Sequence, residues 1–590
     1  MEISDSKNNS LNKSKGMKEE QNNPIISGSE ALISSLLAEG VDTMFGYPGG
    51  AIMPVFDALY DHRDKIKHVL VRHEQAAVHA AQGYARVSQK VGVALVTSGP
   101  GATNAITGLT DAMMDSTPLV VISGQVASSL LGSDAFQEAD VIGITQPVTK
   151  WAYQVRRVED IPWAISRAFY IARSGRPGPV MIDIAKDAQV NKCEYKYEKT
   201  TFLRSYYPIP YPDNDKIAQA AEIINQAKRP FALVGQGVIL GNAEEELKAF
   251  LEKGGIPFAS TILGLSAIDS GHPLNTGMLG MHGNIGPNMN TNECDVLIAI
   301  GMRFDDRVTG NLATYAKQAK VIHFDIDPGE MDKNVKTTVK VLGNAKTTLP
   351  MITEHINKVD HSDWVEVFRN YDKLEFDKVI KYELFPENGG QIKMGEVVNK
   401  VTEATDNKAI CVTDVGQHQM MSTRYFKFTQ SRSLVTSGGL GTMGFGLPAA
   451  IGAKYGAPNR TVCLFVGDGG LQMTMHEFGT ILETDVNVKI ILLNNNYLGM
   501  VRQWQELFFD ERYSETHLKN PDFIKVADAY NIKGRKVTER AELDNAIEEM
   551  LSHDGSFLLE VVVETKGMVY PMVPAGGSVT DVLVAKGEKV

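Results

Sequence analysis

Short runs of aliphatic and β-branched residues alternate along the chain with longer stretches of helical spacing, and most of the runs end in a Gly-rich turn. From Ile26 to Gln189 these runs are KHVLV, VGVALVTSGPG, PLVVISGQV and PVMIDIAKD. Near-continuous apolar strands separated by helices predict βαβ units around a parallel sheet covered on both faces. A polar stretch rich in Pro and Tyr, LRSYYPIPYPDND at 203–215, reads as a linker. A second block, from about Lys216 to Thr353, carries FALVGQG, DVLIAIGMRF and KVIHFDIDP. After a charged helical region at 355–380, a third block beginning near Gly390 contributes ICVTDVG, TVCLFVGDGG, VKIILLNNN and FLLEVVVE. The expected fold class is α/β, with three doubly wound parallel-sheet domains. Their expected limits are 26–190, 216–370 and 385–570, joined by a linker at 191–215. Residues 571–590 form a C-terminal tail or lid.

Blocks one and three share a buried strand that runs into a Gly-rich turn and then a helix, VALVTSGPGATNA and VCLFVGDGGLQMT. The match is short, but both turns fall at the carboxyl ends of strands, where open parallel sheets bind ligands.

Composition narrows the possibilities. A chain of 590 residues allows three or four domains at roughly 150 residues each. Hydrophobic residues at 43% and charged residues at 22% exclude general disorder. The net charge of −12 argues against a nucleic-acid scaffold, which needs a basic footprint. No run approaches the ~18 consecutive apolar residues of a membrane span. Cys193, Cys294, Cys411 and Cys463 form no CxxC pair, which suggests reduced thiols and a cytoplasmic location. Residues 1–25 are rich in Ser, Asn and Lys and hold no aromatic residue, so they read as a disordered tail. A transit peptide is the weaker reading, because the segment has no Arg and contains Glu2, Asp5, Glu19 and Glu20.

In VCLFVGDGG the strand ends at a turn, Gly467 to Gly470, where backbone can approach a ligand closely and helix amides can meet a phosphate. Asp468 offers a hard oxygen of the kind magnesium shares with phosphate oxygens. Asn494, Asn495 and Asn496 end the next strand, and Asn495 follows Asp468 by 27 positions, the length of one helix plus one strand. Adjacent strand ends could therefore bring the amide oxygen beside the carboxylate, although Asn runs also simply end strands and cap helices.

This GDG followed by NN resembles the signature of the thiamine diphosphate enzymes. VRHEQAAVHAAQGYAR, GYPGG, TSGPGATNAITGLTDAMMDSTPLVVISGQV and SGGLGTMGFGLPAAIGA look like segments of the same family. MVRQWQELFFDERYSET, GMLGMHG, GMRFDDRVTG and VYPMVPAGG are similar to the acetohydroxyacid synthase catalytic subunits within it. The likeness covers nearly everything from Ile26 to about Leu583. It implies a pyrimidine-binding first domain, a central FAD-binding domain and a diphosphate-binding third domain. The implied cofactors are thiamine diphosphate, Mg²⁺ and FAD. The implied reaction decarboxylates pyruvate and condenses the hydroxyethyl group with a second pyruvate, or with 2-ketobutyrate, at the start of branched-chain amino acid synthesis. A homodimer or tetramer and a small regulatory subunit are the implied partners.

Carried over by motif, Glu74 is the carboxyl group that drives cofactor tautomerisation, while Gly441 and Met443 hold the pyrimidine. Gly469 and Gly470 lie at the diphosphate. Asp468, Asn495 and the main-chain carbonyl of Tyr497 hold the metal. Met500 and Trp504 shape the acceptor pocket, and Arg303 attracts the acceptor's carboxylate, a task suited to a charge-assisted bidentate donor. Phe136, Gln137 and Lys186 line the same channel from the facing domain. Arg176, His282, Gly283, Arg303, Asp325 and Asp327 contact FAD. Read bare, Glu74 and Lys186 are more often solvated charges, Trp504 and Phe136 more often core aromatics, and Met443 is open to a plain core role. FALVGQGVILG is one residue too long for a dinucleotide fingerprint. Ala185 stands where Pro is common, Gln146 where Arg is common and Asn284 where Thr is frequent, which leaves fine details of FAD and substrate geometry open. A flavin-using pyruvate oxidase or another thiamine diphosphate carboligase, and a catalytically silent binding or regulatory protein on this fold, are the competing readings.

Overall fold

The computed structural model describes residues 23–386 and 390–590. Most of the expected disordered tail, residues 1–22, lies outside the described residues. Ile25 already belongs to a short strand, Ile25–Ser27, that pairs antiparallel with Lys192–Glu194. Order thus begins before the expected boundary, and the expected linker opens with a strand.

Three six-stranded sheets, every neighbouring pair parallel, carry the chain. In space the first runs Lys67–Leu70, Thr43–Gly46, Gly92–Val96, Leu119–Gln125, Pro179–Ala185, Trp151–Val155. The third runs Leu434–Val435, Ile410–Thr413, Val462–Gly467, Lys489–Asn494, Phe557–Val562, Lys533–Val537. Counted from its own first strand, each winds in the order 2-1-3-4-6-5, so the likeness of blocks one and three extends to the whole sheet. The central sheet winds 3-2-1-4-5-6, reversing between Pro230–Val234 and Val296–Ile300. In such sheets the reversal point opens the ligand crevice.

Every apolar run read from the sequence is a strand. Strands without such a run lie at edges or are short: Trp151–Val155 and Lys533–Val537 are edge strands with mostly half-exposed residues, and Thr43–Gly46 has four residues. In the third sheet, Cys463, Phe465, Ile491 and Leu493 pack into the core on one face and Leu464, Val466, Ile490 and Leu492 into that on the other. That two-sided burial is why the runs do not alternate.

The first and third domains meet where the helices Glu74–Ser88 and Gly446–Gly456 cross. A Cβ on Gly83 would lie 2.0 Å from the Ala449 carbonyl oxygen, and one on Gly452 1.8 Å from that of Ala80, so the crossing demands glycine on both helices. At the C-terminus, residues 571–590 fold onto the central domain. The Val573 amide donates to the Met281 carbonyl at 2.7 Å, and Asn311 donates to that of Gly577 at 2.8 Å. Among the described residues no helix is long and apolar enough to cross a membrane.

Candidate active site

Strands Val462–Gly467 and Lys489–Asn494 pair so that Gly467 lies opposite Leu493, which places Asp468 and the three asparagines at neighbouring strand ends. The Asn520 amide bridges them. It donates to Asp468 Oδ2 at 2.7 Å, to Asn494 Oδ1 at 3.1 Å and to Asn496 Oδ1 at 3.2 Å. Asn495 Nδ2 donates to Gln417 Oε1 at 3.3 Å, and Asn495 Oδ1 accepts from the Tyr497 amide at 3.1 Å. Burial pushes the Asp468 carboxyl up to about 6, opposed by the Asn520 hydrogen bond.

Asp468, Asn495 and Tyr497 all line one cavity of about 880 Å³. A carboxylate, an amide oxygen and a carbonyl form a sparse set of hard donors. Such a set fits Mg²⁺ that takes its remaining ligands from phosphate and water. Among the described residues no group of three or more His, Cys, Asp or Glu could hold a metal by itself.

Gly469 and Gly470 line the same cavity beside His418, whose Nε2 is buried without a hydrogen-bond partner. Burial lowers the pKa of His418 to about 3, so the ring is neutral, with one nitrogen left for a ligand. A Cβ on Gly470 would fall 2.5 Å from Asp414 Oδ1, the atom that accepts the Gly444 amide at 3.0 Å. The smallness of Gly470 therefore serves packing against Asp414, which lets its backbone stand in the cavity wall. Gly441, at φ +70°, and Met443 line the adjoining wall.

Met500 and Trp504 sit one turn apart on the helix Gly499–Phe508, so they share a face, and both line the cavity. Arg303 faces them from the central domain, its Nε 3.7 Å from Asp305 Oδ2. The cavity continues along the reversal point of the central sheet past Gly237, His282, Asp325 and Arg176. Arg176 is held by Glu330 at 2.7 Å, by Asp327 at 3.2 Å and through Nε by Ser116 at 2.9 Å. Burial pushes the Asp325 carboxyl up to about 6, and His282 Nδ1 is buried without a partner. This second chamber, with a glycine at a sheet reversal, an acid and an unpartnered ring nitrogen, fits a dinucleotide such as FAD.

Two of the expected FAD residues stand elsewhere. Asp327 does not line the cavity, because it is engaged by Arg176 and by the Gly329 amide at 2.9 Å. Gly283 is also absent from the wall; a Cβ there would lie 2.6 Å from the Met278 carbonyl oxygen, so its smallness serves packing.

Four other expected residues are not brought to this cavity. Glu74 opens the helix Glu74–Ser88, half-buried, and its Oε2 accepts from Asn104 Nδ2 at 2.9 Å. Gln137, at φ +61°, packs its backbone against Gly99, and Gly101 lies beside Glu74, so Glu74 and Gln137 share one face of the first domain. Phe136 is 88% exposed, which excludes a core role, and Lys186 is exposed at the end of the strand Pro179–Ala185.

Sequence reasoning missed Asn520, Gln417 and His418. Gln417 and His418 directly follow the strand-ending turn DVG and were open to the strand-end argument that found Asp468. Asn520 lies in an irregular segment with no local signal.

Three family descriptions match the chain. The thiamine pyrophosphate enzyme N-terminal TPP binding domain matches residues 26–144, the central domain 217–352 and the C-terminal TPP binding domain 414–561. The acetolactate synthase isozyme 2 large subunit of Escherichia coli (strain K12) is 43% identical over 559 residues, covering 95% of this chain and 99% of that protein. The acetolactate synthase large subunit of Lactococcus lactis is 44% identical over 554 residues, covering 93% and 95%. The probable acetolactate synthase large subunit of Methanocaldococcus jannaschii is 43% identical over 569 residues, covering 94% and 95%.

Proposed function

The chain belongs to the acetolactate synthase large subunits of the thiamine pyrophosphate enzyme family, and from this premise we propose how its residues divide the work. Its activity is acetolactate synthesis: pyruvate loses carbon dioxide, and the two-carbon remainder joins a second 2-ketoacid. Thiamine diphosphate supplies the carbanion chemistry when bound, and FAD belongs to the family without a net redox step in this reaction.

In our reading the Asp468 carboxylate, Asn495 Oδ1 and the Tyr497 carbonyl would hold Mg²⁺, while Gly469, Gly470 and His418 would receive the diphosphate. Met443 and Gly441 support the pyrimidine. Arg303 orients the acceptor's carboxylate, and Met500 with Trp504 sets the size of its side chain. Arg176, His282 and Asp325 hold FAD. Asp327 supports the group indirectly by fixing Arg176.

Glu74 would hold and exchange a proton at the pyrimidine of thiamine diphosphate bound by the partner subunit. What supports this is its absence from the cavity that Asp468 lines, together with the shared face it forms with Gln137. A two-fold dimer brings that face, with Phe136 and Lys186, over the partner's cavity, so each site is built at an isologous interface. The homodimer, its pairing into a tetramer, acceptance of 2-ketobutyrate, a small regulatory subunit, the domain limits and a cytoplasmic location complete the proposal.

One observation carries this assignment: a single continuous cavity joins the sparse oxygen set at Asp468 to Trp504, Arg303 and the reversal point of the central sheet. The test is to incubate purified protein with thiamine diphosphate, Mg²⁺, FAD and pyruvate and to identify the product. Acetolactate without flavin bleaching is expected. Acetate, acetyl phosphate or peroxide would make the enzyme an oxidase.

A further inference from the structure

The helix Ile106–Met114 of the first domain, with its C-cap residue, carries two carboxylates that reach the third domain of the same chain. Asp111 is 0% exposed and Asp115 is 1% exposed. Asp115 Oδ2 accepts the Gly438 amide at 2.8 Å, and Oδ1 accepts that of Gly439 at 2.7 Å. Arg86, on the neighbouring helix Glu74–Ser88, donates to Asp115 Oδ2 at 2.8 Å and to the Thr436 carbonyl at 2.5 Å. Asp111 Oδ1 accepts from the Ser437 hydroxyl and, at 2.9 Å, from that of Thr442. The Thr442 amide closes the turn by donating to Ser437 Oγ at 2.9 Å.

Neither carboxylate lines the cavity, whereas residues 437–441 and Met443 of the gripped loop do. The loop holds Gly438, Gly439, Gly441 and Gly444 within eight positions, 437–444. Glycine loses more conformational freedom on ordering than any other residue. A loop of this composition does not hold one shape by itself. Within the third domain Gln419 donates to the Ser437 carbonyl at 3.0 Å and Gly444 to Asp414 at 3.0 Å, and the charge-assisted hydrogen bonds to Asp111 and Asp115 fix the span between them. Gly439 shows how closely the parts meet: a Cβ there would lie 2.8 Å from Asp115 Oδ1 and 2.8 Å from Arg303 Nη2.

We propose that Asp111 and Asp115 are positioning residues that set the backbone of Ser437–Met443 from the first domain of the same chain, and through it the placement of Gly441 and Met443 against the cofactor. Each first domain then serves two sites, its own chain's through Asp111 and Asp115 and the partner subunit's through Glu74. The inference rests on the reading of this loop as the pyrimidine support.

The test titrates thiamine diphosphate, in excess Mg²⁺, into FAD-loaded enzyme, and reads intrinsic fluorescence and turnover. Asp115→Asn keeps the side-chain volume but turns an NH₂ toward a backbone amide. Ser437→Ala deletes one hydroxyl and decides the matter if the first variant does not fold. The cofactor concentration for half-saturation should rise about ten-fold or more in Asp115→Asn, proportionally more than kcat falls, beside a lower melting temperature because Arg86 loses its buried counter-charge. An unchanged half-saturation overturns the proposal, and so does a loss confined to melting temperature and kcat. Met443→Ala separates the two levels of inference. If it weakens cofactor binding while the other two variants do not, positioning fails alone; if all three leave affinity unchanged, the loop reading falls as well.

Discussion

The backbone amide of Arg72 donates to Glu477 Oε1 at 2.9 Å, tying the turn that carries Glu74 to the third domain of the same chain. The Arg72 side chain strengthens the tie, donating to the Gly479 carbonyl at 2.8 Å and to Glu483 at 2.7 Å. Together with the crossing at Gly83 and Gly452, this holds the first residue of the helix Glu74–Ser88 in place while leaving its carboxyl outside the Asp468 cavity.

Glu477 should therefore make stability depend on pH. Burial pushes its carboxyl up to about 7, opposed by the Thr480 hydroxyl and the Arg72 amide. Because the folded pKa exceeds the unfolded one, the folded state gains stability as pH falls from about 7 toward 4.5 and loses it as pH rises. Glu477→Gln removes this titration, so relative to wild type the variant should gain on the order of 2–3 kcal/mol between pH 5 and 8. Melting temperatures of both proteins across that range check it, and parallel profiles would refute the assignment.

Glu74→Gln should nearly abolish turnover with the fold intact. Glutamine keeps the shape but cannot exchange a proton with the pyrimidine. Hydrogen–deuterium exchange at C2 of the bound cofactor measures this step directly. A wild-type rate would remove Glu74 from the chemistry.

Asp468→Ala should abolish Mg²⁺-dependent retention of thiamine diphosphate, since Mg²⁺ would lose its one carboxylate ligand. Calorimetric titration with and without Mg²⁺ reads the effect. Unchanged affinity would mean that other groups hold the metal.

Trp504→Leu should retain pyruvate condensation and lower the preference for 2-ketobutyrate. A methyl contact in an apolar pocket is worth ~1–3 kcal/mol, so the loss is graded. Competition between the two acceptors, scoring both products, measures it. A constant ratio would return Trp504 to the packing.

Mixing Glu74→Gln with Asp468→Ala subunits should restore activity. A heterodimer of the two carries one doubly damaged site and one intact site. Co-refolding followed by assay gives the answer, and heterodimers that form but stay inactive would place both residues in one chain's site.

Local pattern was enough for a large part of this protein. Apolar runs such as VCLFV and KIILLN define the buried strands because burial on both faces leaves no polar positions to interrupt them. The spacing of Asp468 and Asn495 is legible for the same reason: one helix and one strand separate neighbouring ends of a parallel sheet. The edge strand Lys533–Val537 escaped because it is half solvated and carries no such run. The tertiary structure alone decided which strand ends share a cavity. It gathered Asn520 to Asp468, drew Asp327 away to Arg176, set Asp111 and Asp115 under a loop more than 320 positions away, and left Glu74 on another face. Those contacts join surfaces of separately folded sheets, and which surfaces meet depends on crossings such as Gly83 against Ala449, whose fit is a property of the packed domains and of no single segment.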